Sequence, residues 1–136
     1  MDLIIPLFAL ILPFVLWPIE YVFPYPFLVE ELAKYLMVLY ILNTVEDNML
    51  KVKVAAASGV FFALSETVIY IFNIQLVGSV ETIILRLVLT IPLHVLTYLL
   101  ILIPGIKDKR LAIVGVVVAM LLHYLFNLTL SNPLAF

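Results

Sequence analysis

Seven ionisable side chains stand inside stretches that are otherwise apolar: Glu30, Glu31, Lys34, Glu66, Arg86, His94 and His123. A charge at the centre of a membrane span costs about 2.5–3.5 kcal/mol. Ser, Thr or Asn would hold helices together at lower cost, so carboxylates and imidazoles here point to a site that moves protons or binds a cation. Their spacing gathers them. Glu30 and Glu31 precede Lys34 by four and three residues, Phe62 precedes Glu66 by four, and Asn127 follows His123 by four. Arg86, Thr90, His94 and Tyr98 recur at every fourth position. Residues three or four apart share one face of a helix. Each stretch therefore carries a single polar stripe, the pattern of a bundle that encloses its polar groups.

Composition identifies the elements that must hold these stripes. The 136 residues are 66% apolar and 12% charged, against about 45–50% and about 25% in soluble domains. That is too little charge to cover a globule in water. Five apolar stretches, at about 3–18, 27–43, 54–75, 82–103 and 111–130, approach the ~20 residues a helix needs to cross ~30 Å of hydrocarbon. The expected architecture is an all-α integral membrane bundle of about five transmembrane helices, forming one polytopic domain over residues 1–136. The first stretch holds Pro6, Pro13 and Pro18 and lacks the basic region of a leader peptide, so it reads as a kinked first span. The run from Ile19 to Pro26 reads as an interfacial connection, Gly78-Ser79 as a turn, and Pro104-Gly105 as the start of a loop. A net charge of −2 argues against a nucleic-acid partner, and the absence of cysteine removes thiolate chemistry and disulfides.

Five of the seven basic residues sit between spans, Lys51 and Lys53 in segment 44–53 and Lys107, Lys109 and Arg110 in segment 104–110. The positive-inside rule makes both segments cytoplasmic. With ~1.5 Å of rise per residue, Glu66, His94 and His123 then lie about 18 Å into their spans, and Glu30, Glu31 and Lys34 about 5–10 Å below the outer surface. The polar stripes thus meet between the midplane and the outer third. Lys34 is the natural counter-ion of the two glutamates beside it. Arg86 reads as an anchor that pairs with Glu81 or reaches the headgroups.

Four motifs occupy successive spans: Glu30-Glu31-Leu32-Ala33-Lys34, Phe62-Ala63-Leu64-Ser65-Glu66 preceded by Gly59, Pro92-Leu93-His94, and His123-Tyr124-Leu125-Phe126-Asn127. In this order they resemble the PrsW family of intramembrane proteases, which is related to the CAAX-processing endopeptidases. Thr67 departs from the family pattern, in which an asparagine often follows the second-motif glutamate. The resemblance implies an enzyme that hydrolyses membrane-anchored protein substrates from within the lipid, with Glu30 or Glu31, Glu66, His94, His123 and Asn127 as the catalytic set.

Two mechanisms fit that set. In one, Glu66, His94 and His123 ligate Zn²⁺, which lowers the pKa of a bound water to about 7, and Glu30 or Glu31 is the general base. In the other no metal takes part: a glutamate activates water with help from Glu66 or His94, and His123 and Asn127 stabilise the oxyanion. The second carboxylate at Glu66 favours the cation, because like charges gathered together need one. Adjacent positions on a helix differ by about 100°, so sequence leaves open which of Glu30 and Glu31 faces the site. Two other functions compete with proteolysis, a proton- or cation-coupled transporter or channel subunit, and a scaffold that binds single-span helices without cleaving them. The first conflicts with the absence of repeats and with only four glycines.

Overall fold

The three prolines of the first apolar stretch do not interrupt it. In the computed structural model, which describes residues 4–74 and 80–131, helix α1 runs from Ile4 to Val22 with Pro13 and Pro18 in its interior. Pro6 falls in the first turn, where a backbone N–H has no intrahelical partner in any case. The interior prolines each remove one hydrogen bond, and hydroxyls of a neighbouring helix can meet carbonyls loosened in this way. The Ser65 hydroxyl donates to the Leu10 carbonyl. The helix therefore continues past Pro18, and Glu20 lies in its last turn instead of in the connection expected from Ile19 onward.

Helix α2 spans Pro26–Thr44, with its proline at the first position, where the missing N–H costs nothing. Helix α3 spans Asn48–Ile74. It starts well before the expected residue 54 because the Asp47 carboxylate accepts from the Leu50 N–H at 2.6 Å and caps it. Helix α4 spans Val80–Lys107 and runs through both Pro92 and Pro104, so the loop expected at Pro104-Gly105 begins a turn later. A single 3-10 turn, Lys109–Leu111, is closed by Asp108, whose carboxylate accepts from the Arg110 N–H at 2.9 Å, and α5 spans Ala112–Ser131. Gln75, the Gly78-Ser79 turn and Pro133 lie outside the described residues.

Among the described residues the fold is all helix. Helices α1, α3, α4 and α5 are long and apolar enough to cross a membrane, and α2 carries three charges in its 19 residues. The chain is an all-α integral membrane bundle. Its amphipathicity is turned inside out. On α2 the buried stripe is Glu30, Glu31, Lys34, Val38 and Ile41, while Leu32, Leu36 and Tyr40 are exposed. On α5 Ala112, Val116, Ala119 and His123 are buried, and Val117, Leu121, Tyr124 and Leu125 face outward. Lipid accepts the leucines and valines; the polar groups find partners only inside.

Small residues set the helix spacing. A Cβ at Gly59 would lie 2.7 Å from the Val95 Cα, and one at Gly115 would lie 2.7 Å from the Ile101 Cα. Helix α4 is thus in backbone contact with α3 on one side and α5 on the other, and α1 packs mainly on α3. The Lys109 ammonium donates to the Asn43 side chain. That bond brings the α4–α5 turn, with its three basic residues, to the same end of the bundle as the α2–α3 connection beside Lys51 and Lys53.

Candidate active site

Each site residue comes from a buried helix stripe about a dozen residues from that basic end. Glu30 lies one turn into α2, 13 residues before Asn43, or about 20 Å along the axis at ~1.5 Å per residue. Glu66 is on α3, and Gly59, two turns before it on the same face, presses α3 onto α4 beside His94. His123 lies on the buried stripe of α5.

The two adjacent glutamates separate. The Glu31 side chain is fully buried, and its Oε1 accepts from Lys34 Nζ at 2.6 Å and meets His123 Nδ1 at 2.7 Å. Lys34, also fully buried, donates further to Thr97 Oγ1 at 3.2 Å and lies 4.9 Å over the Phe62 ring. Lys34 is thus the counter-ion expected of it, but of Glu31 and not of both. Glu30 turns the other way, toward a cavity of about 220 Å³ that it lines with Glu66 and Phe62. Its Oε2 is buried without a hydrogen-bond partner and lies 3.9 Å from His123 Nε2.

Glu66 Oε2 is in direct contact with His94 Nε2. The His94 imidazole is fully buried, lies against the Phe62 ring at 4.9 Å between centroids, and meets the His123 ring edge-on at 5.5 Å. Phe62 is therefore in contact with both the Lys34 ammonium and the His94 ring.

Glu30, Glu66 and His94 each direct one donor atom into a common group, these atoms lying within 4.8 Å of one another. Two ligands of one zinc ion are at most about 4.4 Å apart, given bonds of about 2.0–2.2 Å. Carboxylate and imidazole donors suit zinc, and Glu30 keeps a buried oxygen without a hydrogen-bond partner, so these residues fit a metal after small side-chain adjustments. The converging trio differs from the expected ligand set in holding Glu30 where His123 was expected. His123 is drawn aside by Glu31. Asn127 is exposed one turn further along α5, and among the described residues no hydrogen bond joins it to the cluster.

Two participants escape a reading by hydropathy. Thr97 joins Lys34 to α4 and in turn donates to the His94 carbonyl at 3.1 Å. Glu20 lines the same cavity as Glu30 and Glu66. The signal for it was helical spacing continued through Pro18, which puts Pro13, Trp17, Glu20 and Tyr21 on one face. Among the described residues Arg86 shows no ion pair with Glu81; its guanidinium lies 4.1 Å over the Tyr70 ring.

A helical membrane bundle in which buried imidazoles meet carboxylates beside a cavity is suited to hydrolytic or cation chemistry inside a bilayer. The sequence model of the PrsW family of intramembrane metalloproteases matches residues 21–136, and the chain belongs to that family. Membership supports an intramembrane metalloprotease type of function. Comparisons with curated proteins and with solved structures returned no match.

Proposed function

We propose that this protein is an endopeptidase that hydrolyses peptide bonds of membrane-anchored proteins in the outer half of the bilayer. The observation that carries this reading is the convergence of donor atoms of Glu30, Glu66 and His94 within 4.8 Å, the two glutamates lining a cavity. The two basic turns gathered at one end support a cytoplasmic assignment for 44–53 and 104–110 under the positive-inside rule, which leaves the cluster toward the outer side.

Glu30, Glu66 and His94 would hold the metal, zinc by the chemistry of the donors. Bound there, it supplies a water of pKa about 7 and polarises the scissile carbonyl. The proton is the task of His123. Glu31 accepts from Nδ1, which leaves the Nε2 lone pair facing Glu30. His123 Nε2 takes a proton from the attacking water and returns it to the leaving amine as the peptide C–N bond breaks. Glu31 fixes the tautomer and ring orientation, as a carboxylate does behind other catalytic histidines. The exposed Asn127 amide, a turn away, meets the arriving substrate backbone.

The test is cleavage of a single-span peptide by the purified protein in liposomes. Glu66→Ala and His94→Ala are each expected to lower kcat/KM by more than about 100-fold. Undiminished cleavage by both variants would overturn the assignment, and proton flux without proteolysis would favour a transporter.

A further inference from the structure

Of the metal trio and His123, only Glu30 and Glu66 line the cavity, at its floor. Its wall and mouth are formed by α1, where Trp17 and Tyr21 are 50% and 85% exposed, while Phe62 and Glu30 at the floor are buried. Between rim and floor stands Glu20, whose Oε1 is buried without a hydrogen-bond partner. Three carboxylates, Glu20, Glu30 and Glu66, therefore face one space lined by no cation. The nearby cations are already engaged, Lys34 with Glu31 and Arg86 over the ring of Tyr70, which is itself a wall residue. Glu20 also lies ahead of the residues that the family model matches.

We propose that this cavity is a specificity subsite in which Glu20 receives a lysine or arginine side chain of the substrate beside the cleaved bond; the proposal rests on the endopeptidase reading above. The walls decide the kind of cation. Glu20 contributes no atom to the converging donor group, and hard metal ions require several oxygens at once. Aromatic faces attract organic cations instead, and Trp17 and Tyr21 supply them. Arg86 on Tyr70 shows such a pairing already made in the bundle. The volume, about 220 Å³, is about seven times a water's share of the liquid, space for one extended side chain and not for a folded segment. A substrate whose backbone lies at the floor beside Glu30 can extend a basic side chain toward the rim and set its charge against Glu20.

Single-span peptides with Lys, norleucine or Glu next to the cleaved bond test this on the whole protein in liposomes. The wild type is expected to prefer Lys over norleucine by about tenfold in kcat/KM. Glu20→Gln should reduce that ratio to near one, and Glu20→Lys should invert it in favour of the Glu peptide. Absence of a Lys preference in the wild type, or a ratio unchanged in Glu20→Gln, overturns the subsite. So does an equal loss on all three peptides, which would make Glu20 structural. Binding of the same peptides to Glu66→Ala, read by fluorescence anisotropy, separates the two proposals. A Lys preference in binding that Glu20→Gln abolishes supports the subsite even if no peptide is cleaved, in which case only the protease reading falls.

Discussion

His123 and Glu31, 92 residues apart, are joined through Nδ1 and Oε1 at 2.7 Å in the interior of the bundle, and Lys34 takes the same oxygen at 2.6 Å. A carboxylate paired with an ammonium only accepts, so Nδ1 carries the imidazole proton and Nε2 is left to face Glu30. One charged pair thus fixes the tautomer of a histidine on another helix. The first of two neighbouring glutamates is left for the cavity.

Breaking that pair from one side strands a buried charge. Glu31→Gln is expected to lower stability by about 3–5 kcal/mol, since Lys34 is fully buried, and to lower kcat by about 10²–10⁴. The double variant Glu31→Gln/Lys34→Met should recover most of the stability and none of the activity. Thermal unfolding in detergent beside peptide cleavage checks both; recovery of kcat in the double variant would remove Glu31 from the orientation of His123.

Glu30 should behave in the opposite way. Its Oε2 has no hydrogen bond to lose, so in the metal-free protein Glu30→Gln breaks no contact and should leave Tm unchanged or raised, a common signature of a functional carboxylate. Cleavage is expected to fall by more than about 100-fold. A large drop in Tm would instead mark Glu30 as structural.

Metal content follows the converging trio. Protein purified without chelator should hold one zinc per chain, lost at least about tenfold more readily from Glu66→Ala and His94→Ala. His123→Ala should retain the metal while losing activity, because His123 is assigned to the proton and not to the ion. Elemental analysis of the three variants decides; loss of metal in His123→Ala would restore it as a ligand.

Gly59 tests the spacing of α3 and α4. A methyl group there meets the backbone of Val95 at 2.7 Å, and backbone cannot move aside as a side chain can. Gly59→Ala is expected to cost about 1–3 kcal/mol and to part Glu66 from His94, with a fall in kcat beyond what lost stability explains. At Gly105 the first atom met is the tip of the flexible Leu42 side chain, so Gly105→Ala should cost less. Equal effects at the two positions would refute the backbone-contact argument.

Hydropathy and spacing were sufficient for the all-helical membrane class and for the shortlist of Glu30, Glu31, Glu66, His94 and His123, because charge in apolar stretches is expensive wherever the helices lie. Helix ends were less legible. Apolar runs mark the hydrocarbon layer, whereas Asp47 and Asp108 mark the ends through hydrogen bonds that no hydropathy window registers. Packing alone distributed the roles. Whether Glu30 or Glu31 faces the cavity depends on how α2 is rotated against α4 and α5, and Lys34 bonding to Thr97, with Glu31 at His123, sets that rotation. Glu20 lines the cavity only because α1 remains helical through Pro18 and lies on α3. The low charge content was enough to place the chain in a membrane. Which charges meet is a matter of helix rotation and contact between residues as far apart as 31 and 123, and no local pattern encodes that.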